Sequence, residues 1–414
     1  MIYAFIRLWA KIFLRLYFRK TLVYGAEKVP ATGPLILASN HPSAFMEAAI
    51  LATVMKRPIH FLVRGDMFHP KFKWLFDATK QIPIYRKKDG ITNLRKNASS
   101  FDLTYRKLAE GESVLIFPEA KTTLEKKMRP IQRGTAHLAF GTLPFLKNGT
   151  VLKVQPVGVN YMDPRVPGTD VVIRFTDAFE VAEGTREDRD TIESFTDQLS
   201  NAMSPLIVQV DDSLEKNYDV MAAIYLRMIY DNKPVPDAVK PLQKISNALQ
   251  HGDLSTGLQK DTDTVLKLLK ASKNQDAVYF PDLVVLNKFG LAVMAFLKLA
   301  WLIAGGWIWR LVRGIIFNKI RTNTFQGPTS LGVMMVVMPL MALILLIILL
   351  IIGVPGWFVL IWLFVMWLGT LIRPSLPLIL KLLIMNSKYK SEATNKIIAL
   401  RKQIENTVLA TRIS

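Results

Sequence analysis

The sequence predicts an α/β fold with membrane-seeking ends: an α/β domain, an amphipathic helix before it and a transmembrane helical hairpin after it. Three observations predict this. Between about residues 34 and 210, short apolar runs alternate with helix-patterned stretches, as strands and crossover helices do around a sheet. Residues 322–372 contain no charged side chain, enough for two spans of ~20 residues each. The first twenty residues carry five basic side chains, no acidic one and a heavy load of bulky apolar residues.

Taken in order, residues 1–22 interleave Ile2, Phe5, Ile6, Trp9, Ile12, Phe13 and Leu14 with Arg7, Lys11, Arg15, Arg19 and Lys20. That is too charged for a signal-peptide core. It predicts an amphipathic helix in the membrane interface, apolar side down and bases toward headgroups; the alternative is a core-packed helix with snorkelling bases. Residues 23–210 form the α/β domain. Strands are expected at 35–38, 59–63, 82–85, 114–117, 151–159 and 171–175, and helices near 47–54, 71–78, 94–109 and 134–140.

Residues 211–285 are polar and helix-patterned, broken by Pro234, Pro236 and Pro241, and predict a helical insert or linker. Residues 286–390 are the expected membrane domain. Its first part, 291–317, is rich in tryptophan but interrupted by Lys298, Arg310 and Arg313, which fits an interfacial helix, a re-entrant segment or a poor span. The hairpin is expected at about 331–372, as spans 331–352 and 357–372 joined at Gly353-Val354-Pro355-Gly356. Few soluble folds bury so long an uncharged run as a core hairpin. Lys319 and Arg321 precede it, Arg373 and Lys381 follow it, and the connection is uncharged, so both ends are expected in the cytoplasm. In the tail, residues 391–414, Ile397, Leu400, Ile404 and Leu409 recur at helical spacing and predict a second surface helix.

The formal charge of +20 suits nucleic acid or an anionic membrane surface. Because the bases track apolar stretches and no recognition module is visible, membrane lipids are the expected partner and nucleic acid is not. The absence of cysteine excludes disulfides, thiolate metal sites and thiol catalysis. His60, His69 and His137 share no metal-ligand spacing, so no metal is expected. With no cleavable leader in view, the globular part is expected on the cytoplasmic face of a membrane, a bacterial inner membrane before others.

The chemistry is expected at the turn after the strand at 35–38, in Ser39-Asn40-His41-Pro42-Ser43-Ala44-Phe45-Met46-Glu47. It places a titratable base and a carboxylate about one helical turn apart, where a helix start leaves main-chain N–H groups unpaired. Three more blocks sit at strand ends: Gln81-Ile82-Pro83-Ile84-Tyr85-Arg86; Phe117-Pro118-Glu119-Ala120-Lys121-Thr122-Thr123, leading to Met128-Arg129-Pro130-Ile131-Gln132-Arg133-Gly134; and Val154-Gln155-Pro156-Val157-Gly158-Val159-Asn160-Tyr161. Carboxyl ends of strands are where α/β folds hold ligands, so the four blocks are expected around one crevice.

In that order the blocks resemble the glycerolipid acyltransferases, the superfamily of glycerol-3-phosphate and lysophosphatidic acid acyltransferases. The resemblance covers roughly residues 20–210. It implies a mixed sheet flanked by helices and transfer of a fatty acyl group from coenzyme A or acyl carrier protein to a glycerol-phosphate hydroxyl at a membrane. These carriers would be co-substrates, with no other cofactor. His41 would match the general base and Glu47 its acidic partner; Arg86, Glu119 and Lys121 would fall in the acceptor-binding blocks. This chain departs from the family in having glutamate for aspartate, with five residues between base and acid, a spacing found among glycerol-3-phosphate acyltransferases. It also has Ala120 where the family prefers glycine, followed by Lys121 and Thr122.

The chemistry asks for these residue types. An attacking hydroxyl must lose its proton, and neutral histidine has the right basicity near neutral pH. A carboxylate on the other ring nitrogen fixes the tautomer and stabilises the imidazolium. No Gly-x-Ser-x-Gly elbow occurs, so direct attack without an acyl-enzyme is expected. Arg86, Lys121, Arg129 and Arg133 are the candidate phosphate ligands. Against these stand simpler readings: Glu47 as a carboxylate favoured in a first helical turn, Arg86 to Lys88 as a solvated basic edge, and Glu119 as a surface pair with Lys121.

Overall fold

The computed structural model describes residues 2–85, 91–185, 187–231, 237–251, 255–270, 283, 286–320, 322–372, 376–384 and 387–409. Strands β1 (Lys20–Tyr24), β2 (Leu35–Ser39), β3 (Ile59–Arg64), β4 (Gln81–Ile84), β5 (Ser113–Ile116), β6 (Lys153–Tyr161) and β7 (Asp170–Phe175) form one sheet in the order β1-β7-β6-β2-β5-β3-β4, and β8 (Phe179–Glu180) pairs with β6. Pairing is parallel except for β6 with β7 and with β8. The sheet is mixed, as the resemblance implies. All five residues of β2 are buried, the continuous apolar run that a central strand covered on both faces requires.

Side-chain alternation along the strands sorts two cores. Leu35, Leu37, Leu115 and Val157 meet helix α1 (Ile2–Tyr17) and helix α2 (Met46–Val54) on one face. Ile36, Ala38, Val114 and Val154 meet α4 (Ile91–Ala109), α5 (Gly134–Thr142) and α6 (Arg189–Met203) on the other. The short α3 (Lys73–Ala78) lies between β3 and β4. In α1, Ala10, Phe13, Leu14 and Tyr17 are buried while Ile2, Phe5, Leu8 and Ile12 are exposed. The helix is therefore both core-packed and apolar outward.

Two expectations need correction, one at each end of the chain. The N-terminal segment does not end at residue 22, because residues 20–24 are β1, an edge strand parallel to β7. Within the segment 211–285, α7 (Glu215–Asp231), α8 (Val239–His251) and α9 (Ser255–Lys270) pack with α15 (Ser387–Leu409) as a helical unit. The tail is consequently no surface helix. Ile397, Leu400 and Ile404 are fully buried in the core they share with Ile224, Ile245 and Val265, since an apolar stripe of that width is covered by whatever apolar face lies nearest.

Helices α10 (Lys288–Trp301) and α11 (Trp307–Lys319) flank a π-type turn at Leu302–Gly306, where Gly305 takes φ 134°, a value open to glycine. The Trp362 indole N–H donates to the Ala304 carbonyl at that turn, 2.7 Å. The hairpin arms are α12, one helical run from Asn323 to Ile351, and α13 (Gly356–Leu371). Lys288–Gly306 and Asn323–Ile351 are long and apolar enough to cross a membrane. The first arm starts earlier than residue 331 because its opening turns pack on the sheet domain. A Cβ on Gly327 would lie 2.1 Å from the Pro164 carbonyl, Leu331 is in the α1/α2 core, and the Trp9 indole donates to the Met335 carbonyl, 2.9 Å. At α13's C-terminus the Lys298 ammonium donates to the carbonyls of Gly369, 3.3 Å, and Ile372, 2.6 Å, satisfying groups a helix end leaves bare. Helix α14 (Leu376–Ile384) packs against α10.

Candidate active site

The site grows from the end of β2. Main-chain pairing of β2 with β6 stops at Ser39 and Val157, and the Asn40 side chain continues it. Its Nδ2 donates to the Val159 carbonyl, 2.9 Å, and its Oδ1 accepts from the Val159 N–H, 2.7 Å. The next residue, His41, is thereby held at the carboxyl end of the parallel strands. Its ring stacks on Phe117, just past β5, with centroids 3.8 Å apart and planes 9° from parallel.

His41 Nδ1 lies 3.0 Å from Glu47 Oε2, and Glu47 Oε1 accepts from the Ser43 N–H at 2.8 Å. Glu47 is fully buried and sits in the first turn of α2. Its longer side chain spans from the helix to the ring while still accepting from the Ser43 N–H in the turn that precedes the helix. With the carboxylate ionised, Nδ1 carries the proton and Nε2 the lone pair. The ring keeps 17% exposure, so Nε2 is the nitrogen a ligand can reach. Beside Glu47, burial and the neighbouring carboxylate push the Tyr161 hydroxyl well above its usual pKa of 10.0.

Glu119 joins this turn to the third block. Its Oε2 accepts from the His41 N–H at 3.3 Å and from the Arg129 guanidinium at 2.8 Å, and its Oε1 accepts from the Arg129 N–H at 3.3 Å. The carboxylate is buried and forms no surface pair with Lys121, the simpler alternative for this residue. Arg129 also donates to the Lys121 carbonyl. Ala120 turns the chain between them with φ 58°, a left-handed conformation that explains the preference for glycine at this place.

The sequence-derived set therefore divides. His41, Glu47, Glu119 and Arg129 form one connected cluster. Lys121 is exposed on the same loop, and its ammonium has no ion pair among the described residues. Arg133 is not drawn in: its guanidinium pairs with Glu193 of α6 at 2.7 Å, with both side chains exposed. Arg86 lies outside the described residues. Sequence reasoning missed Asn40, Phe117 and Tyr161, although each falls within a block already singled out. It also missed a cleft of about 510 Å³, counting space open to solvent, lined by Asn40, Pro42, Tyr161, Lys126, Arg165 and Tyr218 among others.

Lys126 and Glu215 both line that cleft. The Lys126 ammonium lies 2.9 Å from both Glu215 and Asp219 of α7. Burial pushes the Asp219 carboxyl up to about 6 despite the pull of Lys126, while the carboxylates hold Lys126 above its ordinary value. Thr122 Oγ1 reaches Thr324 at 3.4 Å, so the third-block loop also touches the start of α12.

Residues 20–160, from the first residue of β1 into β6, match the family model described as Acyltransferase. They are an acyltransferase-family domain. The whole cluster of His41, Glu47, Glu119 and Arg129 lies inside it. A solved structure similar to this chain is that of the 1-acyl-sn-glycerophosphate (LPA) acyltransferase PlsC from Thermotoga maritima. The two share 17% identity over 47% of this chain and 77% of that one, with a TM-score of 0.35. Among curated proteins none matches. The acyltransferase domain ends one residue short of Tyr161, and the helical unit and membrane helices lie beyond it.

Proposed function

We propose that this chain is a membrane-bound O-acyltransferase of glycerolipid metabolism. It moves a fatty acyl group from acyl-CoA or acyl-ACP to a glycerol-phosphate acceptor, glycerol 3-phosphate before lysophosphatidate. The observation that carries the reading is the 3.0 Å contact of His41 Nδ1 with buried Glu47, which leaves Nε2 on the open side of an acyltransferase-family domain.

In this mechanism the acceptor hydroxyl gives its proton to Nε2 as its oxygen attacks the thioester carbonyl. Glu47 holds the ring and stabilises the imidazolium that forms. The tetrahedral intermediate collapses by breaking the C–S bond. The departing thiolate takes the proton back from Nε2, giving an ester, a thiol and the starting histidine. Lys121, with Arg86, binds the acceptor's phosphate by charge-assisted hydrogen bonds. The exposed stripe of α1 and the apolar faces of α12 and α13 hold the enzyme in the bilayer, with the acyltransferase domain on the cytoplasmic side of a bacterial inner membrane.

A second reading is favoured by the engagement of Arg129 with Glu119 and Arg133 with Glu193. With both guanidiniums occupied, another lyso-lipid such as an aminolipid is a competing acceptor. Acceptor-dependent thiol release by the purified protein in lipid separates the possibilities, using glycerol 3-phosphate, lysophosphatidate and a lyso-aminolipid with each thioester. Release with the first two alone supports the proposal, and release with the aminolipid alone selects the competitor. No release with any acceptor leaves a membrane lipid-binding protein.

A further inference from the structure

The sheet order decides which face each crossover occupies. In β2-β5-β3-β4, the connections β2 to β3 and β3 to β4 step the same way, while β4 to β5 and β5 to β6 step back. With parallel strands and right-handed crossovers, α2 and the connection from Gly65 to Ala78 cover one face, and α4 and α5 cover the other. The cores agree. Met46 and Ile50 of α2 share a cluster with Phe13 and Leu14 of α1 and Leu331 of α12, and Met334 and Met335 pack against it. Leu108 and Leu138 belong to the opposite cluster. The crossover that carries α3 is therefore on the face that bears α1 and receives the first membrane helix.

That crossover is exposed in an unusual way. Phe68 and Phe76 pack against each other, with centroids 4.3 Å apart, while Phe72 and Trp74 between them point outward, 53% and 60% exposed. Lys71 and Lys73 alternate with them. Lys73 meets Asp77 in a well-exposed pair, worth little, and the Lys71 ammonium has no ion pair among the described residues. Alternating large aromatics and lysines are the composition of a membrane interface, where rings sit at headgroup depth and ammonium groups meet lipid phosphate. A chain of net charge +20 complements an anionic bilayer.

We propose that the connection from Gly65 to Ala78 is a second membrane contact: Phe72 and Trp74 enter the headgroup layer of an anionic bilayer, with Lys71 and Lys73 on its phosphates. The α1 face of the sheet then lies against the membrane, tethered by α12 and steadied by this segment. The inference does not depend on the acyl-transfer reading.

The chain has no cysteine, so Trp74→Cys and, separately, Phe72→Cys each give a unique labelling site in the full-length protein. Both carry an environment-sensitive fluorophore in vesicles of phosphatidylcholine with phosphatidylglycerol. Quenching of both by doxyl-labelled lipid, with protection from aqueous iodide, is the expected result. Adding Lys71→Gln and Lys73→Gln should lower the docked-to-free ratio by about 30-fold, for two surface cations. Iodide quenching that is the same in vesicles and detergent, without doxyl quenching, overturns the proposal. So does protection that follows protein density instead of lipid charge, which would assign the patch to a second copy of the chain.

Discussion

The carboxylate of Glu119 sits between the main-chain N–H of His41 and the guanidinium of Arg129, 3.3 Å from one and 2.8 Å from the other. The turn that carries the proposed base is thus fixed by a residue from another strand end, and that residue is neutralised by an arginine ten residues further along its own connection.

Removing one member of a buried pair strands the other. Arg129→Ala is expected to destabilise the fold by about 3 kcal/mol, because the Glu119 carboxylate would be left buried and unpaired. Urea denaturation checks the stability change, and kinetics on the fraction that remains folded should show kcat falling more than the acceptor KM rises. A large KM increase with unchanged stability would return Arg129 to acceptor binding.

Glu47→Gln keeps the shape and loses the charge. An amide presents a donor or a neutral acceptor to Nδ1, so both the tautomer and the imidazolium lose their support. A fall in kcat of roughly 10²-fold or more is expected, measured as acyl transfer at saturating acceptor. Glu47→Asp shortens the arm that now reaches both His41 and the Ser43 N–H, so it should also lose rate. An unchanged rate in Glu47→Gln would favour the helix-dipole role for this carboxylate.

Ala120 holds φ 58°. Relief of its Cβ strain outweighs the greater freedom of glycine in the unfolded chain, so Ala120→Gly is expected to stabilise the protein by about 0.5 kcal/mol. The denaturation midpoint checks this. A loss of stability would mean that the methyl group packs against something that matters more.

The pH response of Asp219 has a definite sign. A carboxyl raised from 3.8 to about 6 in the folded state takes up a proton on folding between those values. Its contribution is full below 3.8 and is lost as pH rises through about 6. Relative to Asp219→Asn, the unaltered protein should therefore gain stability as pH falls from about 7 to about 4. Parallel denaturation curves across that range check it, and a flat difference would contradict the raised value.

How much of this was legible follows from distance along the chain. His41 and Glu47 share one strand-to-helix turn, and the strands β2, β5 and β6 are apolar runs between turn residues, so both could be read locally. β1 was hidden because Lys20-Thr21-Leu22-Val23-Tyr24 follows directly on a basic helix, and its pairing with β7 is set by residues far away. The Arg133 pair with Glu193 is similarly non-local, and charge alone gave no means of choosing a nearby phosphate over a distant carboxylate. In α15, the spacing of Ile397, Leu400 and Ile404 revealed a face that needed covering but not its cover. Lipid and the buried faces of α7 to α9 ask for the same pattern.

The central claim is that His41 Nε2 removes the acceptor's proton. Single-turnover acyl transfer by His41→Ala, in lipid and beside a matched measurement of membrane insertion, tests it most directly. The account predicts a fall in rate of at least about 10²-fold with insertion unchanged. Near-normal turnover in the correctly inserted variant would contradict it.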